Sequence, residues 1–186
     1  MRRASVLFVL AACAHATSGS GGGAPAARAL MDAGLSAEAS GDLPGARRSY
    51  ERAALLAPSD PRPLVYAGNA AFATGALGDA VAAFQEALAR DSLDTEAHNN
   101  LAWTLLTRDL DGDLAEAARH AEKAVSLAGD RPEFTHTLAM IELRRGNRQR
   151  AEDLLVRALG QAIESDATTT LRAQIASDLG RTRSKS

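Results

Sequence analysis

The stretch Leu64–Asp94 reads LVYAGNAAFATGALGDAVAAFQEALARDSLD. Two apolar-periodic runs meet at a break around Gly75. The first places Leu64, Ala67, Gly68 and Ala71 on one face, and the second places Ala80, Phe84, Ala87 and Leu88 on one face. Apolar residues three or four apart lie one above another on an α-helix, so each run predicts an amphipathic helix. Glycine at the break predicts a tight turn. The unit is a helix–turn–helix.

The same unit recurs along the chain at a spacing of about 34 residues, the period of a known helical repeat. One column of the first helix holds Gly34, Gly68, Ala102 and Ala139. Two columns of the second helix hold Ala46, Ala80, Ala117, Ala151 and Ala53, Ala87, Ala124, Ala158. Small side chains at these spacings imply helix backbones in near contact. The large residue of the second helix is Tyr50, Phe84, Ala121 and Leu155 in turn, and turn glycines fall at Gly41, Gly75 and Gly146. This order of small and large residues resembles the tetratricopeptide repeat, whose unit-ending proline appears once, as Pro58. The resemblance implies an all-α, right-handed α-solenoid of about four units plus a C-terminal capping helix. The expected units are residues 27–60, 61–94, 95–131 and 132–164. The cap spans 165–180, with Leu171, Ile175 and Leu179 on one face and Gly180 as its stop, and 181–186 reads as a disordered tail. Asp42 is the expected N-cap of the first unit's second helix, followed by Pro44 in the first turn. Pro61 and Pro63 open the second unit. The third unit departs most. Its turn is longer, its large residue is only Ala121, and its first helix carries the one tryptophan, Trp103.

The N-terminus reads as an address. Arg2 and Arg3 precede a short apolar run, and residues 1–12 fit a signal peptide rather than a membrane span, which needs about 20 residues. Leu10-Ala11-Ala12-Cys13 resembles the lipobox of bacterial lipoproteins. That resemblance makes Cys13 the lipidated first residue of the mature chain, anchored in the membrane, with residues 13–26 as a Gly/Ser tether. Ala14 after the cysteine, in place of aspartate, favours the outer membrane, facing the periplasm. Ala14-His15-Ala16 also fits ordinary signal cleavage, which would yield a soluble periplasmic protein.

The remaining composition narrows the function. Hydrophobic residues make up 46% but aromatic ones only 4%, so the core is built of alanine and leucine, as in packed helices. A formal charge of −2 gives no footprint for nucleic acid. One cysteine excludes an internal disulfide. No phosphate-binding loop, zinc motif or nucleophile elbow is present, so no catalytic residue, metal or cofactor is expected. Asp109-x-Asp111-Gly112-Asp113 invites a calcium reading, but Leu114 and His120 stand where an EF-hand needs glycine and glutamate. A capping box of Asp113 with Glu116 is the simpler reading. Glu133-x-x-His136 is half of a di-iron motif without its other half.

The expected function is therefore protein binding. In tetratricopeptide arrays the first helices line a concave groove. By that resemblance its columns are Met31, Val65, Asn99 and His136; Leu35, Asn69, Trp103 and Met140; and Glu38, Phe72, Leu106 and Leu143, with Arg62, Glu96 and Arg144 at the rim. Asn69 and Asn99 suit the backbone of an extended peptide. Phe72, Trp103 and Met140 suit apolar side chains. No lysine or arginine stands in these columns, which disfavours capture of a C-terminal carboxylate. In architecture the chain resembles pilotins and other accessory lipoproteins of outer-membrane assembly machines. Packing or self-association could instead occupy the floor, as in an oligomeric structural subunit.

Overall fold

The computed structural model describes residues 24–165 and 167–184. Among these residues there are nine α-helices and no strand. They run in hairpin pairs: α1 (Ala24–Ala39) with α2 (Leu43–Leu56), α3 (Arg62–Ala73) with α4 (Leu77–Arg90), α5 (Thr95–Arg108) with α6 (Asp113–Leu127), and α7 (Pro132–Arg144) with α8 (Arg148–Glu164). The last, α9 (Thr169–Arg183), packs on α8. Each helix packs on the next. The backbones of the first helices also approach across repeats, α3 with α5 and α5 with α7, whereas the second helices meet through long side chains, as in Arg47–Asp79 at 2.7 Å and Arg150–Glu122 at 3.1 Å. The array therefore curves toward its first helices and forms an all-α solenoid.

The alanine columns account for the packing. Ala46, Ala80, Ala117, Ala151 and Ala53, Ala87, Ala124, Ala158 are all wholly buried. The glycine column has a different cause from backbone proximity. A Cβ on Gly68 would stand 2.6 Å from Cε1 of Phe84, and one on Gly34 would overlap the Tyr50 ring. The small residue makes room for the large residue of the same hairpin, not for a neighbouring backbone. Repeat three solves its missing bulk on the other helix. Leu101 and Leu105 stand where repeat two has Ala67 and Ala71, and both are wholly buried in the core that contains Ala121.

Local signals act as their chemistry dictates. Asp42 accepts from the Gly45 N–H at 2.9 Å and caps α2. The turns after α1, α3 and α7 place Gly41, Gly75 and Gly146 at φ near +80°, where a side chain is strained. Arg90 at the end of α4 donates to the carbonyls of Ala54, Ala57 and Asp60, filling acceptors left open where α2 ends.

Four expectations need correction. The tether does not extend to residue 26, because α1 begins at Ala24 with Pro25 in its first turn, where no N–H is missed. Asp113 forms no capping box. Gly112 is the N-cap, and the Asp113 carboxylate instead accepts from Arg108 at 2.6 and 2.9 Å and from the Leu110 N–H at 3.0 Å. The Arg108 guanidinium holds that carboxyl below the usual aspartate range. Gly180 does not stop the last helix, and the tail is helical as far as Arg183. Arg181 binds Asp178, Thr182 Oγ1 donates to the Asp178 carbonyl at 2.8 Å, and Arg183 donates to Glu152 at 2.7 Å. These anchors outweigh the weak helix propensity of one glycine. The signal, Cys13 and residues 13–23 of the tether lie outside the described residues.

Candidate functional site

The face lined by α3, α5 and α7 is made by residues that recur one helical turn apart on each first helix. Val65 is buried, and Phe72, Asn69, Asn99, Trp103, Leu106, Met140 and Leu143 are half-buried. Phe72 and Leu106 pack on the main core, so they form the underside of the floor as much as its surface. At the open end of the array, Met31 packs beside Tyr50, Leu35 is exposed, and Glu38 accepts from the Tyr50 hydroxyl at 2.8 Å. Arg144 pairs with Asp109 across the far ends of α7 and α5. Arg62 and Glu96 stand at the opposite ends of the first helices, on α3 and α5.

The asparagines are not equivalent. Asn100 Nδ2 donates to Asn69 Oδ1 at 3.0 Å, and Asn99 Nδ2 donates to Asn100 Oδ1 at 3.3 Å. Asn100 is the residue that sequence reasoning missed. It lies one position off the inward column, and only the approach of α3 to α5 brings it to Asn69. The amide chain occupies Asn69 Oδ1 and leaves Asn99 Oδ1 over. Among the described residues, three buried side-chain polar atoms have no hydrogen-bond partner: Asn99 Oδ1, Trp103 Nε1 and, away from this face on α8, Gln161 Oε1. Asn99 and Trp103 are one turn apart on α5. One offers an acceptor and the other a donor. A buried polar atom left unpaired costs about 1–3 kcal/mol.

His136 belongs to the floor but is not free for a ligand. Its ring stacks on Trp103 with centroids 6.4 Å apart, and its Nε2 lies 2.8 Å from the Asp178 carboxylate of α9. Both residues are buried. Although burial opposes it, the contacts of His136, Gln174 and Arg181 hold the Asp178 carboxyl below its usual range. The C-terminal helix thus closes one end of the face by fixing His136. Glu133, its partner in the metal half-motif, is bound to Arg131 instead.

Behind the floor, His98 and His120 join α5 to α6. His98 Nε2 faces the Ser92 carbonyl at 3.2 Å, so it carries the proton and donates. His98 Nδ1 is then an acceptor for His120 Nδ1–H at 2.8 Å. Burial and the adjacent His98 hold His120 below the ordinary histidine range. The pair ties α5 to α6, and the Glu116 carboxylate stands 3.8 Å from His120 Nε2 on the α6 side.

An array of helical hairpins whose inward columns carry no lysine or arginine defines a helical-repeat scaffold. The tetratricopeptide-repeat family model matches residues 66–132. That segment, which runs from α3 to the start of α7, carries the tetratricopeptide-repeat pattern. Comparison with curated protein sequences gives no match. Among solved structures the chain is similar to PilF of Pseudomonas aeruginosa, with a TM-score of 0.71, 19% identity, and coverage of 88% of this chain and 72% of that one. It is similar to a thermophilic tetratricopeptide-repeat protein of Thermus thermophilus, with a TM-score of 0.68, 20% identity, and coverage of 83% and 84%. It is also similar to the first repeat domain of Spaghetti (RPAP3) bound to an HSP90 peptide, with a TM-score of 0.61, 20% identity, and coverage of 64% and 93%. Identities this low establish a shared fold.

Proposed function

We propose that this protein is a non-catalytic adaptor of a bacterial cell envelope that holds an extended segment of another protein across α3, α5 and α7. The observation that carries the reading is the unpaired acceptor of Asn99 and donor of Trp103 on one turn of α5. In an extended strand the N–H and C=O of one residue point to the same side. Both atoms are closed to solvent in the free protein, so a segment crossing α5 meets them, a donor to Asn99 Oδ1 and an acceptor from Trp103 Nε1, once the two half-buried side chains turn outward. Peptide capture by the related RPAP3 domain supports the reading, although the floor here lacks cations for a C-terminal carboxylate. An internal stretch of the partner fits better. The test is hydrogen exchange of the full chain with and without partner recovered from native membranes. Protection is expected in α3 and α5 around Asn69 and Asn99–Trp103. Protection confined to α2, α4, α6 and α8 would place the partner on the outer face and sink the groove reading.

The address at Cys13 supports a lipid anchor with the repeats held off the outer membrane on the periplasmic side. Metabolic labelling with a palmitate analogue tests it. The wild-type chain should label, and Cys13→Ala should not. Equal labelling of the two would leave ordinary export, as a soluble periplasmic protein, in its place.

A further inference from the structure

A cavity of about 340 Å³ opens at the mouth of the face, between the N-terminal ends of α3 and α5. Val65, Tyr66 and Leu93 form its apolar walls, and Arg62, Asp94 and Glu96 its polar edge. Leu93 is 59% exposed although the loop that carries it is fixed, its N–H donating to Asp91 at 2.9 Å. An apolar side chain is thus held at the mouth with most of its surface open.

The charges of the cavity do not balance. Arg62 faces away in its pairing: its Nε and Nη2 bind the two Asp60 oxygens at 2.9 and 2.7 Å. Arg131, the nearest cation to Glu96, donates through Nε to Glu133 at 2.7 Å and stands 3.9 Å from Glu96. Asp94 uses one oxygen to cap α5 through the Ala97 N–H at 2.9 Å. Two carboxylates therefore edge an apolar cavity, while Arg62 is held by Asp60 and Arg131 is shared, closer to Glu133 than to Glu96. Burial pushes the Glu96 carboxyl above its ordinary range, Arg131 opposes this, and the carboxylates of Asp94 and Glu133 add to it.

We infer that this cavity receives a lysine or arginine side chain of the bound segment, its methylenes on Val65, Tyr66 and Leu93 and its cationic head at Glu96 and Asp94. Long basic side chains bury their stems on apolar surface and keep the head among polar groups, which is the arrangement the cavity offers. An apolar guest would leave the two carboxylates desolvated and uncompensated. An acidic guest would add a third like charge. The subsite lies one turn above Asn99 on α5. It extends the groove reading, and it specifies a basic residue close to the position where the segment's backbone crosses that helix.

The test uses small probes that do not need the groove. Backbone amide shifts of the full chain are followed while N-acetyl-lysine amide, N-acetyl-arginine amide, N-acetyl-norleucine amide and N-acetyl-glutamate amide are added in turn. The two basic probes should give saturable shifts at Tyr66, Leu93 and Glu96 that weaken with salt. Glu96→Gln should weaken them roughly five-fold, the size of one partly exposed ion pair. Asp94→Asn, which keeps a capping side chain, should weaken them further when combined with Glu96→Gln. Gly78→Ala, at the far end of α4 where a Cβ meets nothing within 4 Å, should leave them unchanged. An equal response to norleucine would reduce the cavity to an apolar dimple and overturn the inference, as would a stronger response to glutamate or no saturable response to either cation. Binding of the basic probes without protection of α3 and α5 by a partner would instead remove the groove reading and leave the subsite standing.

Discussion

Gly68→Ala should destabilise the fold by about 1–3 kcal/mol, the usual cost of overpacking a filled core. The new methyl would meet Phe84 at 2.6–2.9 Å, and the ring is wholly buried, so it has no free space to turn into. The second half of the prediction is a rescue. Repeat four carries Ala139 and Leu155 at these two positions, and both are wholly buried there. Phe84→Leu on its own should be destabilising, because it leaves a void where the ring was. Combined with Gly68→Ala it should recover much of the loss, because the added methyl enters that void. Gly78→Ala is the control. It lies in α4, a Cβ there meets nothing within 4 Å, and alanine favours the helix, so stability should hold or rise slightly. Urea melts of the four variants measure all of this. Additive losses in the double variant would mean that the small and large columns do not pair as described.

Trp103→Ala should weaken partner binding by about 2 kcal/mol or more, the size of a central aromatic contact. Trp103→Phe separates the two things the side chain offers. It keeps most of the apolar face and removes the indole N–H, so the loss should be smaller, about 0.5–1.5 kcal/mol for one hydrogen bond. The effect on the free protein has the opposite sense. Trp103 Nε1 is buried and unpaired there, so removing it deletes a cost rather than a contact, and the melting midpoint of Trp103→Phe should stay level or rise. Weaker binding with unimpaired stability is the signature of a binding donor. Unchanged binding would mean that the indole N–H is not used and that Trp103 serves the core beside His136. Asn69→Ala is a poorer probe than Asn99→Ala, because Asn69 Oδ1 is already held by Asn100.

Much of the fold can be read residue by residue. The alanine columns and turn glycines are local requirements, and each repeats, so four imperfect copies reinforce one another. Repeat three shows where this stops. Ala121 looks like a gap when its own column is read alone. The compensation by Leu101 and Leu105 sits on the partner helix, and columns read singly do not show it.

The site was legible only in part. The inward columns follow from helical periodicity, and Val65, Asn99 and Trp103 stand on one face as that periodicity implies. Which polar atoms are left over does not follow from it. Asn100 reaches Asn69 because α3 and α5 approach each other, and that approach decides that Asn99 Oδ1 is the atom without a partner.

What the sequence determined by itself is therefore the repeat, its helical class, the Asp42 cap and the glycine turns, and the absence of lysine and arginine from the inward columns. These depend on residues within one hairpin, and the spacing of a helix is fixed by its own backbone. Tertiary structure alone decided the rest. It carried α9 through Gly180 by anchoring Arg181 and Arg183, committed His136 to Asp178, and assembled a carboxylate-edged cavity from α3, α5 and the loop between α4 and α5. Arg181–Asp178 is a contact within α9, whereas Arg183–Glu152, His136–Asp178 and the cavity walls each join side chains about thirty or more residues apart in the chain. Such pairs are set by how successive hairpins stack, and no spacing within a single helix encodes that.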